Sequence, residues 1–434
     1  MPSSPGMETD TMKTCKRLTA PILVAALLVL PAAVTQLLSQ PGNEAPAGFD
    51  TPTLSENPGS QSKGNGLVDD ATFGGAQAVF EEAEGVDDGL GPVYNARSCA
   101  ECHQNPVTGG VSQVAEFRLG HFDRNGHFVN PNIAINGGQN VIPNRSLLND
   151  RAICAEAQER APGGENIRTF RMSLNVLGDG FVEAIDDNTL KAIAAAQPGQ
   201  SGGRIRGQVI LVPVAEAAPG TTRVGRFGWK NQQASLLSFS GDAYLNEQGI
   251  TSRLNPTDTT TVCKTTTDPE DEHNDIDQFA MFMRGTKAPP VDTALLATAD
   301  AQAGQQIFTK IGCSTCHVAS ITTAPSGTVI NGGMFTIPDA LGNKVIHPFS
   351  DFLLHNIGTG DGILQNGPPE TAFKMRTVPL WGMRTRDRLM HDGLSTSRTD
   401  AILRHGGEAS DTRKRFASLT DQQRSQLITF LNSL

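Results

Sequence analysis

Apolar positions fall into three kinds of run along this chain. The first, residues 20–33, is nearly continuous and follows Lys13, Lys16 and Arg17. A basic start, an apolar run and uncharged residues up to Gly42 read as a secretory signal peptide over residues 1–40, or as a membrane anchor if it stays uncleaved. Residues 41–66 are rich in Pro, Gly, Ser and Asn and predict a disordered linker. The second kind has helical spacing. Phe73, Ala76, Val79 and Phe80 predict a helix over 71–84, with a Gly-rich loop after it at 87–94. Residues 185–195 read as a helix that Asp186 and Asp187 start. A further helix runs over 301–311, where Gly304 lets a second helix cross closely. At the end of the chain Thr420 and Gln423 form a capping-box pattern, and Leu427, Ile428, Leu431 and Leu434 make one apolar stripe. The third kind is short, such as the strand expected over 209–214. Between these lie loops, including a Thr-, Asp- and Glu-rich surface stretch at 256–277. Ala288-Pro289-Pro290 breaks the pattern and predicts a boundary between residues 67–290 and 291–434. The expected fold class is mainly α with long loops.

Composition changes this picture little. The chain has 434 residues, enough for two cores, and 38 % hydrophobic residues. A net charge of -10 argues against nucleic acid and anionic membranes as partners, and permits electrostatic steering of a basic electron-carrier protein.

The cysteines are more informative. Cys99-Ala100-Glu101-Cys102-His103 and Cys313-Ser314-Thr315-Cys316-His317 both read C-x-x-C-H, the attachment signature of c-type haem. Two thiols three positions apart reach the two vinyl groups of one porphyrin edge. The next imidazole then falls beneath the iron as proximal ligand. A zinc site would need two such pairs brought together, and here each pair has its own trailing histidine. Two covalently bound haem c groups are therefore expected, with Cys99, Cys102, Cys313 and Cys316 as attachment points and His103 and His317 as iron ligands. Haem attachment of this kind requires export, so a periplasmic location is expected. Of the seven cysteines, Cys154 and Cys263 then remain outside the leader, and an oxidising compartment predicts a disulfide between them. A helix leading into C-x-x-C-H and a closing helix after it is the layout of a small cytochrome c domain, so two such haem domains are expected.

Several runs resemble one family. They are Asp351-Phe352-Leu353-Leu354-His355, Arg376-Thr377-Val378-Pro379-Leu380-Trp381-Gly382, His391-Asp392-Gly393 and Ala401-Ile402-Leu403-Arg404-His405-Gly406-Gly407-Glu408-Ala409, with 95–103, 225–230 and 245–252 in the first half. Together they are similar to the bacterial di-haem cytochrome c peroxidase superfamily, and more closely to its di-haem oxidoreductase branch, over roughly residues 66–434. The resemblance implies one haem that accepts electrons and a second that reduces peroxide. It implies that Trp229 lies between the haems and that Glu247 shuttles protons over the peroxidatic iron, as a carboxylate can. A core Trp and a loop or capping carboxylate are the plainer readings of these two residues.

Two positions depart from the pattern. Phe239 stands where a glutamine is found ten residues after the tryptophan, and Arg386 to Arg388 replace a Thr-x-Pro, which leaves an inter-haem calcium uncertain. The resemblance also suggests distal ligands. His121, eighteen residues after His103, matches a removable ligand of the first haem, with His127 as competitor. His405, fourteen residues after His391, takes the slot of a methionine on the second haem, with Met383, Met390 and His355 as alternatives. The implied function is a periplasmic di-haem oxidoreductase that reduces hydrogen peroxide with electrons from a small donor protein, a cytochrome c or cupredoxin. The alternatives are a di-haem oxidase of an organic or protein substrate, and a non-enzymatic electron carrier with both irons capped.

Overall fold

Each C-x-x-C-H motif follows one helix that packs against another from later in the chain. The computed structural model describes residues 43–51 and 63–434, so the expected signal peptide or anchor lies outside the described residues. The first pair is α1 (Asp70–Glu81) with α2 (Asp275–Gly285), and the second is α3 (Ala299–Ile311) with α4 (Asp421–Asn432). Asp69 caps α1 by accepting from Thr72 N at 2.9 Å. In α4 the capping box forms as expected: Gln423 N donates to Thr420 Oγ1 at 3.2 Å and Thr420 N to Gln423 Oε1 at 3.0 Å. Both crossings depend on a glycine. A Cβ at Gly304 would lie 2.0 Å from Gln426 O, and one at Gly285 would lie 2.7 Å from Phe73 Cδ2. The Gly304 expectation is met.

The pairs share an aromatic plan. Phe80 lies 6.2 Å from the His103 ring and packs on Phe279 and Phe282. Phe308 lies 6.2 Å from the His317 ring and packs on Phe349 and Phe430. Each motif thus leans on its own apolar core. The first core contains Phe73, Phe80, Phe181, Phe227, Phe279 and Phe282, and the second Phe308, Phe349, Phe416, Leu427 and Phe430. Ile321, Leu341, Phe352, Leu353 and Trp381 also enter the first core, so it extends past residue 290. Asn43–Leu434 accordingly clusters as one unit.

The fold-class expectation is corrected: 33 % of the protein is helical, 15 % is strand in many small sheets, and it is not mainly α. The largest sheet centres on β1 (Ala115–Phe122), which pairs antiparallel with β2 (Phe128–Val129), β3 (Leu147–Leu148) and β4 (Ile167–Met172). Most of the strands are two or three residues long, too short for a period-2 pattern to stand out. The 41–66 stretch is also not a free linker where it is described. Ala45 N bonds Val345 O at 2.9 Å, and the Asn65 side chain donates to Arg284 O and Thr286 O at the end of α2. Composition records polarity, not where a backbone finds partners.

Cys154 and Cys263 are bonded, with Cα atoms 6.5 Å apart. No helix among the described residues is long and apolar enough to cross a membrane.

Candidate functional site

At the second motif α3 ends on Gly312, whose φ of 99° breaks the helix, and Cys313–Thr315 form a single 3-10 turn. His317 Nδ1 lies 2.9 Å from Phe349 O. A carbonyl only accepts, so Nδ1 carries the proton and Nε2 keeps its lone pair. Burial pushes His317 down to about 4, with His405 acting in the same direction, so the ring is neutral. His405 follows the short Arg398–Leu403 helix and repeats the arrangement, with Nδ1 2.7 Å from Ala401 O and burial lowering its pKa. Both rings line one cavity together with Cys313, Cys316, Leu380, Leu389 and Leu431. Two thiols at an edge, two neutral imidazoles with free Nε2 atoms and apolar walls fit a flat iron macrocycle.

Met383 and Met390 line the same cavity. His355 also lines it but is spoken for: Nε2 pairs with Asp351 at 2.8 Å and Nδ1 with Glu408 at 3.0 Å. Burial opposes the charge, yet Asp351 holds the His355 pKa well above its usual value, so no lone pair remains for a metal.

At the first motif Ser98 caps the Cys99–Cys102 turn through Glu101 N, and His103 Nδ1 lies 3.4 Å from Gly110 O. Burial lowers the His103 pKa. Against this motif lies the Tyr244–Gln248 π-turn, an uncommon conformation that recurs at functional sites. Gln248 Nε2 reaches Cys99 Sγ at 3.5 Å. The Glu247 backbone carbonyl accepts from Asn95 N at 2.7 Å and Ala96 N at 3.1 Å, and its carboxylate accepts from Asn95 Nδ2 at 2.7 Å. Burial and the nearby Glu116 push the Glu247 carboxyl up to about 7. The Cys102 thiol, raised first by burial, is raised further by Glu247, which places that carboxylate beside the motif.

His121 is not brought to this site. It lies on β1 with Glu116 and Arg118, the residues whose charges act on Glu247, but at odd rather than even register. Alternation along a strand turns His121 to the other face, where Nδ1 pairs with Glu165 at 2.8 Å. His127 pairs with Asp123 and its side chain is 73 % exposed.

Trp229 lines the second cavity, donates Nε1 to Met172 O at 2.8 Å and sets its ring edge-on to His391 at 6.1 Å. Its neighbour Lys230 starts a buried charge network that the sequence reading missed. Lys230 Nζ is held by Thr371 O, Ala372 O, Lys374 O and Asp361 Oδ1, all within 2.8–2.9 Å. Arg171 binds the other Asp361 oxygen at 2.7 Å and faces Glu116 at 3.6 Å. Burial would raise Asp361, but Arg171 and Lys230 bring it down to about 2. The network therefore runs from the neighbour of Trp229 to the carboxylate acting on Glu247. Arg171 stands in no short motif and Lys230 closes the run 225–230 without any signal of its partners, so their burial was not visible in the sequence.

The family whose sequence pattern matches is described as "Di-haem oxidoreductase, putative peroxidase", over residues 164–434. No curated protein matches the chain. Among solved structures, one described as Kuenenia stuttgartiensis hydrazine synthase pressurized with xenon is similar at 14 % identity and a TM-score of 0.41, covering 97 % of this chain and 100 % of that one. A MauG-like protein associated with microbial copper homeostasis is similar at 16 % identity and a TM-score of 0.30, covering 60 % of this chain and 89 % of that one. At these scores neither supports a conclusion about this chain.

Proposed function

The chain belongs to the di-haem oxidoreductase family, and from that premise we propose that it is an exported enzyme with two covalently bound haems that reduces hydrogen peroxide with electrons from a small redox protein. One observation carries this reading: the two motifs are unequal. The second shares its cavity with a second neutral imidazole, His405, whereas the first has the half-buried Glu247 carboxylate acting on Cys102, and the candidate histidine His121 points away. Haem iron supplies one-electron transfer and, where an axial position is free, a place for a small oxidant.

His103 and His317 would hold the two irons as proximal ligands, and His405 would cap the second. Glu247 takes a proton from the near oxygen of peroxide and returns it to the leaving oxygen. A carboxyl held near 7 can do both at neutral pH. Asn95 fixes its direction from two sides, through side chain and backbone. The balance is one peroxide, two electrons and two protons to two waters. Trp229 lines the wall of the cavity at the second motif, and in this reading it passes electrons between the haems. A carrier with both irons capped would need a further imidazole or thioether at the first site.

EPR of the oxidised protein tests this assignment. One high-spin and one low-spin haem are expected, and His405→Ala should convert the low-spin signal. Two low-spin signals, or a His405→Ala spectrum like that of the parent, would contradict it.

A further inference from the structure

The cavity at the second motif is walled largely by apolar side chains, and three arginines line it with unsatisfied Nε groups. Arg386 is 8 % exposed and lines it, and its Nε is buried without a partner. Among the described residues its guanidinium makes no hydrogen bond and no ion pair. Arg376, 6 % exposed, gives one N–H to Arg226 O at 3.0 Å and leaves Nε unsatisfied. Arg398, nearer the surface and within reach of Asp387's charge, donates to Met383 O at 3.1 Å and also leaves Nε unsatisfied. Arg376 and Arg386 repel each other, and Asp179 is the carboxylate that acts on Arg376 among the described residues.

Uncompensated buried charges are strongly destabilising, and unmet buried donors add to the cost. A cavity built this way suits an occupant that is flat and apolar over most of its surface and carries carboxylates at one edge. Guanidinium forks match carboxylates in geometry as well as charge. We infer that Arg376, Arg386 and Arg398 form a clamp for the propionate carboxylates of the haem attached at Cys313 and Cys316. The inference rests on the haem site proposed above. It also gives the clamp a redox effect: fixed positive charge beside the macrocycle favours the reduced iron, opposing the low potential that two imidazole ligands confer.

The test uses the matured holoprotein and its Arg386→Gln and Arg386→Lys variants. Mass spectrometry counts the haems, resonance Raman reads the propionate bending modes, and a redox titration reads the second haem. Arg386→Gln should keep both haems, shift a propionate mode and lower that haem's reduction equilibrium constant roughly tenfold, about 59 mV for one electron. Arg386→Lys should restore most of the potential but not the propionate mode, because an ammonium is a point charge rather than a fork. Unchanged modes and potential in Arg386→Gln, with both haems present, would overturn the clamp. If the Gln variant fails to mature, an unaltered propionate mode in Arg386→Lys would overturn it equally. A parent protein with no haem at Cys313 and Cys316 would instead overturn the underlying site.

Discussion

A glutamate buried beside a pair of thiols loses its solvation, and Glu247 keeps its place because Asn95 and the π-turn hold both its backbone and its carboxylate. Its pKa of about 7 has consequences for stability and turnover. Between the ordinary carboxylate value of 4.5 and about 7 the native state holds a proton that the unfolded state has released, so this group lowers stability as pH rises through that window. Glu247→Gln removes the effect. Its melting temperature relative to the parent should therefore be higher at pH 8 than at pH 5, and equal differences at the two pH values would contradict the buried carboxylate. The same substitution should leave both haem spectra nearly unchanged and cut peroxide turnover roughly 10²–10⁴-fold. Parent turnover should fall as pH drops through about 7, because a protonated carboxyl cannot accept the first proton.

Lys230 presents a different case at the same scale. Its ammonium fills an oxygen cage that would otherwise hold unsatisfied carbonyls and an under-compensated Asp361. Lys230→Ala breaks a buried pair and should cost about 3–5 kcal/mol, read as a lowered denaturant midpoint. A loss within about 0.5 kcal/mol would show that the cage is dispensable.

At the scale of elements, α1, α3, α4 and the two motifs were legible because each has a strong local signal, whereas α2 was not read and its first turn lies in the stretch expected to be a surface loop. The capping box at Thr420, the stripe from Leu427 to Leu434 and Gly304 need only their own segments to be read. Strands such as Leu147–Leu148 exist because β1 lies beside them, and nothing within two residues announces that. The register of β1 was the costly omission. Glu116 and Arg118 fall at even positions and His121 at an odd one, and once the strand is recognised His121 must face away from Glu247. The crossing at Gly304 yields a direct test. Gly304→Ala places a methyl against backbone that cannot yield, and overpacking of this kind costs about 1–3 kcal/mol. Calorimetry should show a lowered melting temperature, and an unchanged one would mean that α3 and α4 separate more easily than their packing implies. The Cys154–Cys263 bond closes a sequence separation of 109 residues, worth roughly 4–5 kcal/mol in the chain-entropy model. Reduction without haem loss should lower the denaturant midpoint accordingly.

For the whole molecule, the sequence marks two C-x-x-C-H motifs and leaves any division of labour between them to tertiary packing. His405 and Glu247 were legible as candidates from their runs. What distinguishes them is the company each keeps: a neutral imidazole partner across an apolar cavity in one case, and Asn95 with a buried carboxylate network in the other. The charge of -10 belongs to this scale too. It favours a donor protein with a basic face, so turnover with such a donor should fall as salt is raised from 10 to 200 mM, as screening of steered association requires. Salt-independent turnover would point to a neutral docking face.

The central claim is that peroxide is reduced at the first haem with Glu247 as proton carrier while the second haem stores an electron. Anaerobic stopped-flow mixing of the fully reduced holoprotein with one equivalent of hydrogen peroxide tests it most directly. Both haems of the parent should be reoxidised, two electrons per peroxide, and the same reoxidation should be roughly 10²–10⁴-fold slower in Glu247→Gln. A parent that stays reduced, or a Glu247→Gln variant reoxidised at the parental rate, would contradict it.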